Sequence, residues 1–157
     1  MDSTLFIEEF EAVGLEDVVT DWGEVLPSVE HSIWLYQKYL AEAQTSFFAT
    51  LPLRALQKIT IDLQTGCWVW EAGRDNSGYG QIWDERTDAT AQAHRYIFER
   101  MVRPLVPGEK LDHRCRCHPC VWPVHTHPKT HAQNVKAGVY DRRHVKQPHF
   151  WQPFKGS

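Results

Sequence analysis

The stretch LDHRCRCHPCVWPVHTHPKTHAQN, residues 111–134, concentrates the reactive side chains of this sequence. Its 24 residues contain three of the four cysteines and five of the nine histidines of the chain. Such a concentration could form a disulfide framework, a metal site or a catalytic centre, and each would indicate a different kind of protein. The surrounding sequence favours some of these alternatives over others.

The first residues, MDSTLFIEEFEAV, lack the basic segment that opens a secretory signal. No apolar run approaches the roughly 20 residues of a membrane span. We therefore expect a cytoplasmic protein with no membrane partner. Because thiols stay reduced in that compartment, metal binding is favoured over disulfides for Cys67, Cys115, Cys117 and Cys120.

The two halves of the chain differ in charge. Residues 1–65 hold 11 acidic and 3 basic residues, a formal charge of −8, whereas residues 66–157 hold 9 acidic and 14 basic residues, a charge of +5. This asymmetry indicates a polyanion-binding part and an acidic appendage. The acidic segment could also dock on a partner or mask the basic face, and ordinary surface variation is the alternative.

A long amphipathic helix is predicted over residues 28–51, with Ser28 as its N-cap and Pro52 ending it. Apolar residues recur there at steps of three or four: Val29, Ile33, Tyr36, Leu40, Ala43, Phe47 and Leu51. This face is expected to pack in the core. It could alternatively contact a second copy in a homodimer.

The pattern changes at Gly66. Residues 67–83 predict two short strands around a polar turn, and residues 87–102 predict a helix from apolar residues at steps of four. The letters KLDH, residues 110–113, predict a short strand, and the Cys/His segment that follows is expected to be irregular. A capping box from Thr130 to Gln133 then opens a helix that ends near Gly138.

Four cysteine and histidine side chains could bind one zinc ion. A structural zinc site needs four thiolate or imidazole ligands in a tetrahedron. Cys115, Cys120 and His125 could supply three from one loop, and Cys67, the cysteine outside this stretch, could supply the fourth. Cys117 and His118 are competing ligands.

The remaining polar residues of the stretch suggest phosphodiester chemistry. His113 ends the predicted strand and Asn134 lies early in the predicted helix, so the two would face one cleft. A neutral imidazole can deprotonate water, and an amide oxygen can bind a hard cation such as Mg²⁺. A surface histidine and a helical asparagine with no joint role are the alternative.

The ordered motifs GCWVW, GYG, AHR, LDHRC and a terminal T-x-x-Q-N resemble those of the HNH, or His-Me finger (ββα-metal), endonucleases. The resemblance is greatest to phage HNH proteins and zinc-binding His-Cys box homing endonucleases. It covers about residues 66–135. It implies DNA as the partner and a bacterial or phage-infected cell as the setting.

The resemblance also implies roles for individual residues. His113 corresponds to the general base and Asn134 to a ligand of the catalytic Mg²⁺, with Asp112 as a further Mg²⁺ ligand in some subfamilies. Arg95 is a candidate phosphate clamp, or else a surface ion pair, and His94 is interpreted as structural. The zinc ligands correspond to Cys67, Cys115, Cys120 and His125.

Two positions depart from the family pattern. Trp122 stands where the family has an asparagine that ties the loop together by hydrogen bonds, and an indole has one donor and no acceptor. Thr126 stands where the family has an apolar leucine. Both could weaken catalysis, and Cys117 occupies a commonly polar position.

The sequence thus predicts an α+β protein: a zinc-stabilised ββα-metal finger with a preceding β-hairpin and helix, plus a helical N-terminal segment. The expected divisions are an acidic segment at 1–62, a nuclease domain at 63–138 and a basic aromatic tail at 139–157. The predicted function is metal-dependent DNA cleavage, with Zn²⁺ structural and Mg²⁺ catalytic. Arg142, Arg143 and Lys146 are expected to contact DNA phosphates. The alternative is a zinc-stabilised DNA-binding module with weak or no activity.

Overall fold

A computed structural model of the protein describes residues 17–130, which form a mixed α and β structure with small sheets. The helices are α1 (Val29–Thr45), α2 (Leu53–Leu56) and α3 (Ala93–Met101). The strands are β1 (Val18–Val19), β2 (Val25–Leu26), β3 (Ile59–Ile61), β4 (Trp68–Trp70), β5 (Gln81–Asp84), β6 (Ala89–Gln92), β7 (Glu109–His113) and β8 (Thr126–Thr130). These strands form four two-stranded antiparallel sheets, each joining neighbours in the chain.

Helix α1 begins where the sequence predicts. The Ser28 hydroxyl accepts a hydrogen bond from the backbone N–H of His31 at 3.1 Å, which satisfies one of the unpaired donors of the first turn. The helix ends at Thr45, six residues before the predicted end, because Ser46 takes an extended conformation. Phe47 therefore lies outside the helix and is 95% exposed, so its predicted place on the core face is wrong.

The two strands predicted over residues 67–83 are present as β4 and β5, and an isolated antiparallel bridge joins Arg74 and Gly80 across the predicted turn, but β4 and β5 do not pair with each other. Strand β4 pairs with β3, with Ile59 opposite Trp70, and β5 pairs with β6, with Ile82 opposite Ala91. The predicted helix over residues 87–102 begins only at Ala93, because residues 89–92 form β6. Cross-strand hydrogen bonds to β5 here override the helical preference of the alanines.

Strand β7 is confirmed, and it pairs with a strand that the sequence did not predict. In this pair Asp112 lies opposite His127 and His113 opposite Thr126. The loop between β7 and β8 closes with a 3₁₀ turn at Pro123–His125. Thr130, the predicted helix cap, is the last residue of β8, and the predicted helix after it lies outside the described residues.

One buried cluster holds these elements together. It contains Trp68, Trp70 and Trp122, all with no exposed surface, and includes Leu26 and Leu51 from the other side of the boundary predicted at residue 62. The segment before α1 also contacts the β7–β8 loop. Trp22 donates its indole N–H to the carbonyl of Arg114 at 3.0 Å.

Across residues 17–130, no helix has both the length and the apolar character needed to cross a membrane.

Candidate metal centre and histidine cluster

The structure brings together the four residues predicted to bind zinc. The ligand atoms of Cys67, Cys115, Cys120 and His125 all lie within 4.8 Å of one another, and all four side chains are buried. Nδ1 of His125 lies 3.3 Å from Sγ of Cys67 and 3.7 Å from Sγ of Cys120. This arrangement could hold a metal ion such as zinc, which favours thiolate and imidazole ligands.

Backbone hydrogen bonds explain how Cys67 reaches the other three ligands. It directly precedes β4, and β4 is attached to the loop: Trp70 N–H donates to the carbonyl of Pro119 at 2.9 Å, and Val121 N–H donates to the carbonyl of Trp68 at 2.8 Å. Val69 and Cys120 form an isolated β-bridge. The loop therefore pairs with β4, as β3 does. This pairing fixes Cys67 beside Cys120.

The thiols of this cluster interact strongly. Burial alone would raise the pKa of Cys67, but hydrogen bonds with the three other thiols and with His125 outweigh it and hold that pKa well below its usual value. Burial raises the pKa of Cys115 and Cys120 well above theirs. A bound divalent cation would favour all three thiolates, because metal coordination removes the thiol protons.

Cys117 lies beside this centre but outside the four-residue group. Its side chain is 1% exposed and interacts with Cys67, the contact that contributes most to its raised pKa. Arg116, between Cys115 and Cys117, has a φ of 56°, a left-handed conformation unusual for a residue with a side chain. The turn at Arg116 separates the two cysteines, and Cys117 accepts a backbone hydrogen bond from Cys120 at 3.0 Å.

Trp122 supports the loop by packing. Its ring stacks on Trp68, with centroids 5.9 Å apart, and lies over His125 at 4.6 Å. Its indole nitrogen is buried and has no hydrogen-bond partner among residues 17–130. At this position an indole packs against the candidate ligand His125, whereas the family that the sequence resembles has a hydrogen-bonding amide.

Thr126, which stands where the family has leucine, keeps the loop closed by a hydrogen bond. Its hydroxyl is buried and donates to the carbonyl of Pro123 at 2.7 Å, across the 3₁₀ turn that carries His125. Both departures from the family pattern therefore have stabilising contacts here.

His113 lies within a cluster of aromatic rings. Tyr79 stacks on His118 at 4.5 Å, on His94 at 5.3 Å and on His113 at 5.6 Å, and the rings of His94 and His113 are 4.7 Å apart. We call Tyr79, His94, His113 and His118 the histidine cluster. Its rings restrict the imidazole of His113, which is 8% exposed.

One hydrogen bond determines the tautomer of His113. Nε2 lies 2.9 Å from the carbonyl oxygen of Cys120, and because a carbonyl can only accept, Nε2 carries the proton and Nδ1 the lone pair. Burial lowers the pKa of His113 to about 4, against the opposing effect of that hydrogen bond. Cys120 thus connects the candidate metal centre directly to the candidate base.

The other predicted site residues within the described part lie around this cluster. Arg95 is exposed, donates to Glu99 at 3.2 Å and lines a cavity next to the histidine cluster. The Asp112 carboxylate accepts from Lys129 at 2.8 Å, on the face of β7 opposite to the buried His113. Its predicted role as a Mg²⁺ ligand stays a prediction.

Four predicted site residues, Asn134, Arg142, Arg143 and Lys146, lie outside the described residues.

Sequence reasoning missed the contacts of Tyr79 and His118 with His113. Tyr79 belongs to the GYG motif, where it was considered only as a strand-forming residue, and His118 was considered only as a competing zinc ligand. Their meeting at His113 depends on the turn before β5: Nδ1 of His118 donates to the carbonyl of Ser77 at 2.8 Å. No local pattern in the sequence indicates this contact.

Comparison with known proteins identifies one phage relative. No family model matches the sequence, and no solved structure matches it. The chain is similar to Protein 2.8 of Escherichia phage T7, with 28% identity over 81 residues. That alignment covers 52% of this chain and 54% of the phage protein, so the chain matches about half the length of this relative.

Proposed function

We propose that this protein is a metal-dependent DNA endonuclease of the HNH, or His-Me finger, type. The observation that carries the proposal is the position of His113. It ends a strand whose hairpin loop supplies three ligands of the Cys3His group, and its Nε2 is bonded to the carbonyl of one of them, Cys120. The similarity to a phage protein fits a role in an infected host cell.

The proposed chemistry is hydrolysis of a phosphodiester. Nδ1 of His113 takes a proton from water, and the water oxygen forms a bond to phosphorus. The bond from phosphorus to the 3′ oxygen breaks, and the leaving oxygen takes a proton from solvent water, which leaves a 5′-phosphate and a 3′-hydroxyl. Arg95 stabilises charge on the phosphate oxygens.

Two metals have separate proposed tasks. Cys67, Cys115, Cys120 and His125 would hold Zn²⁺, which would fix the loop that carries the His113 hydrogen-bond acceptor. Asn134 is the proposed ligand of Mg²⁺, which would supply positive charge near the leaving oxygen when bound. The Asp112 carboxylate lies on the other face of β7, bonded to Lys129. The basic residues Arg142, Arg143 and Lys146 are proposed to bind DNA phosphates.

A plasmid assay tests this function. Zinc-loaded protein in Mg²⁺ should convert supercoiled plasmid to nicked or linear forms, and His113→Ala should abolish the conversion. His127→Ala is the matched control, because His127 lies on the same hairpin but is exposed. Equal cutting by wild type and His113→Ala would refute the role of His113.

The second candidate is a zinc-stabilised DNA-binding module that does not cut. The observation that favours it is the burial of His113, a residue that is 8% exposed within the histidine cluster. This candidate gives salt-sensitive DNA binding with no cleavage in Mg²⁺ or Mn²⁺. A gel-shift assay beside the plasmid assay separates it from the nuclease.

A further inference from the structure

A cavity of about 370 Å³ adjoins the histidine cluster. It lies where the first turn of α3 faces β7, and its volume falls within the range of small-ligand sites. Its lining contains no acidic side chain and consists of Tyr79, Gln92, His94, Arg95, Leu105, Lys110 and Leu111. We call it the α3 cavity.

The two charged side chains that line the α3 cavity, Arg95 and Lys110, are both positive. Within residues 17–130, Lys110 has no ion pair, and Arg95 has one partner, Glu99, while its side chain is 47% exposed. Lys110 also lies directly opposite Lys129 in the β7–β8 register, so two like charges share one face of the hairpin. Like charges directly opposite each other are destabilising. Asp112 forms an ion pair with Lys129, so the charge of Lys110 is the one left uncompensated.

The backbone adds to this positive potential. Gln92 is the N-cap of α3, and its side chain makes no capping hydrogen bond. The first N–H groups of a helix point outward and favour negative charge. Helix α3 therefore presents its positive end, with Arg95 in its first turn, at the cavity.

His94 forms part of the wall between the cavity and His113. It is 4% exposed, and its Nδ1 has no hydrogen-bond partner among the described residues. Burial, reinforced by the charges of His113, His118 and Arg95, lowers the pKa of His94 well below its usual value. Because Nδ1 is itself sealed from solvent, the contribution of His94 to the cavity is its ring, as part of the wall.

We propose that the α3 cavity binds one phosphate-bearing nucleotide of the substrate strand, with Lys110 and Arg95 on its phosphate and Gln92 as a further polar contact. Leu105 and Leu111 supply the apolar surface for the sugar and base. This inference rests on the proposed function for its placement next to the reacting phosphodiester. It assigns substrate contacts to Lys110 and Gln92.

Ligand titration of the zinc-loaded full chain without Mg²⁺ tests the proposal. Chemical-shift changes of backbone amides would be followed with thymidine 5′-monophosphate, inorganic phosphate and thymidine as three separate probes. The monophosphate should bind most tightly, phosphate more weakly and thymidine weakest, with shifts at the start of α3 and along β7. Binding of thymidine as tight as that of the monophosphate would overturn the phosphate contact.

Variants assign the binding to the cavity. Lys110→Gln should weaken monophosphate binding by about tenfold, because a charge-assisted contact is lost. It should also reduce the salt dependence of DNA binding by about one counterion. Lys58→Gln is the matched control, since Lys58 lies over Trp70 and does not line the cavity. Equal effects of the two substitutions would overturn the proposal.

Failure of this subsite is distinguishable from failure of the nuclease function. If the monophosphate binds and Lys110→Gln weakens it, the subsite stands even if no plasmid is cut. If the plasmid is cut but Lys110→Gln changes neither monophosphate binding nor the KM for DNA, the subsite is wrong and the nuclease stands.

Discussion

Replacement of Trp122 by asparagine, the residue found there in the family that the sequence resembles, should strongly destabilise this protein. The indole is fully buried, stacks on Trp68 and covers His125. A buried tryptophan removes about 150–250 Å² from water, worth about 4–6 kcal/mol at about 25 cal/mol per Å². The smaller amide leaves a cavity and brings polar atoms into an apolar site.

We therefore expect Trp122→Asn to lower the free energy of unfolding by about 4 kcal/mol or more, in line with large-to-small core substitutions. Urea denaturation of the zinc-loaded protein, at one fixed free zinc concentration, measures this loss. The zinc concentration must be fixed because any ligand that binds only the folded state adds to its apparent stability. Near-ultraviolet circular dichroism would report the loss of the tryptophan stack.

Trp122→Phe is the matched control. It keeps most of the aromatic surface and removes an indole N–H that has no partner among residues 17–130. The unpaired donor costs about 1–3 kcal/mol, so its removal offsets much of the lost contact area. We expect a change within about 1 kcal/mol. A loss below about 1.5 kcal/mol for Trp122→Asn, at an unchanged denaturant slope, would refute the view that the indole supports this loop.

Three further predictions concern metal, charge and pH. Chelation of zinc should abolish the near-ultraviolet signal cooperatively, because four buried ligands lose their common partner; an unchanged spectrum after verified metal removal would contradict the site. Arg100→Ala should lower the free energy of unfolding in urea by about 3–5 kcal/mol, because it leaves the buried Asp84 carboxylate without its ion-pair partner. Arg95→Ala, at an exposed ion pair, should lower it by at most about 0.5 kcal/mol. Similar losses for the two variants would argue against the burial of the Arg100 pair. The folded-state pKa of His94 is lowered, so the unfolded chain binds a proton at this residue before the folded chain does as the pH falls. The wild type should therefore lose stability relative to His94→Phe below about pH 6.5. Parallel profiles of stability against pH for the two proteins would exclude this linkage.

The sequence by itself determined the residue types at the candidate metal centre. Cys115, Cys120 and His125 have the spacing of metal ligands within one loop, and the structure brings them and Cys67 within reach of one ion. It also determined the start of α1, since Ser28 caps it locally, and strand β7. These features depend on neighbouring residues or on side-chain chemistry alone.

Only the tertiary structure decided which strands pair. Ala89 lies four residues before Ala93, a helical spacing, yet residues 89–92 form β6 because β5 offers backbone partners there. The predicted hairpin is limited to the bridge between Arg74 and Gly80 because β4 has its partners in β3 and in the β7–β8 loop. Strand partners are set by long-range contacts that intrinsic propensity does not record.

The environment of His113 likewise came only from the tertiary structure. Tyr79, His94 and His118 come from a turn, a helix and a loop, and no sequence period relates them. Trp122 shows the same limit, because its letter indicated only a lost hydrogen-bonding amide, whereas its packing on Trp68 became visible in the fold. Residue chemistry can be read along a chain, but the contacts that give it a role depend on which distant segments share one core.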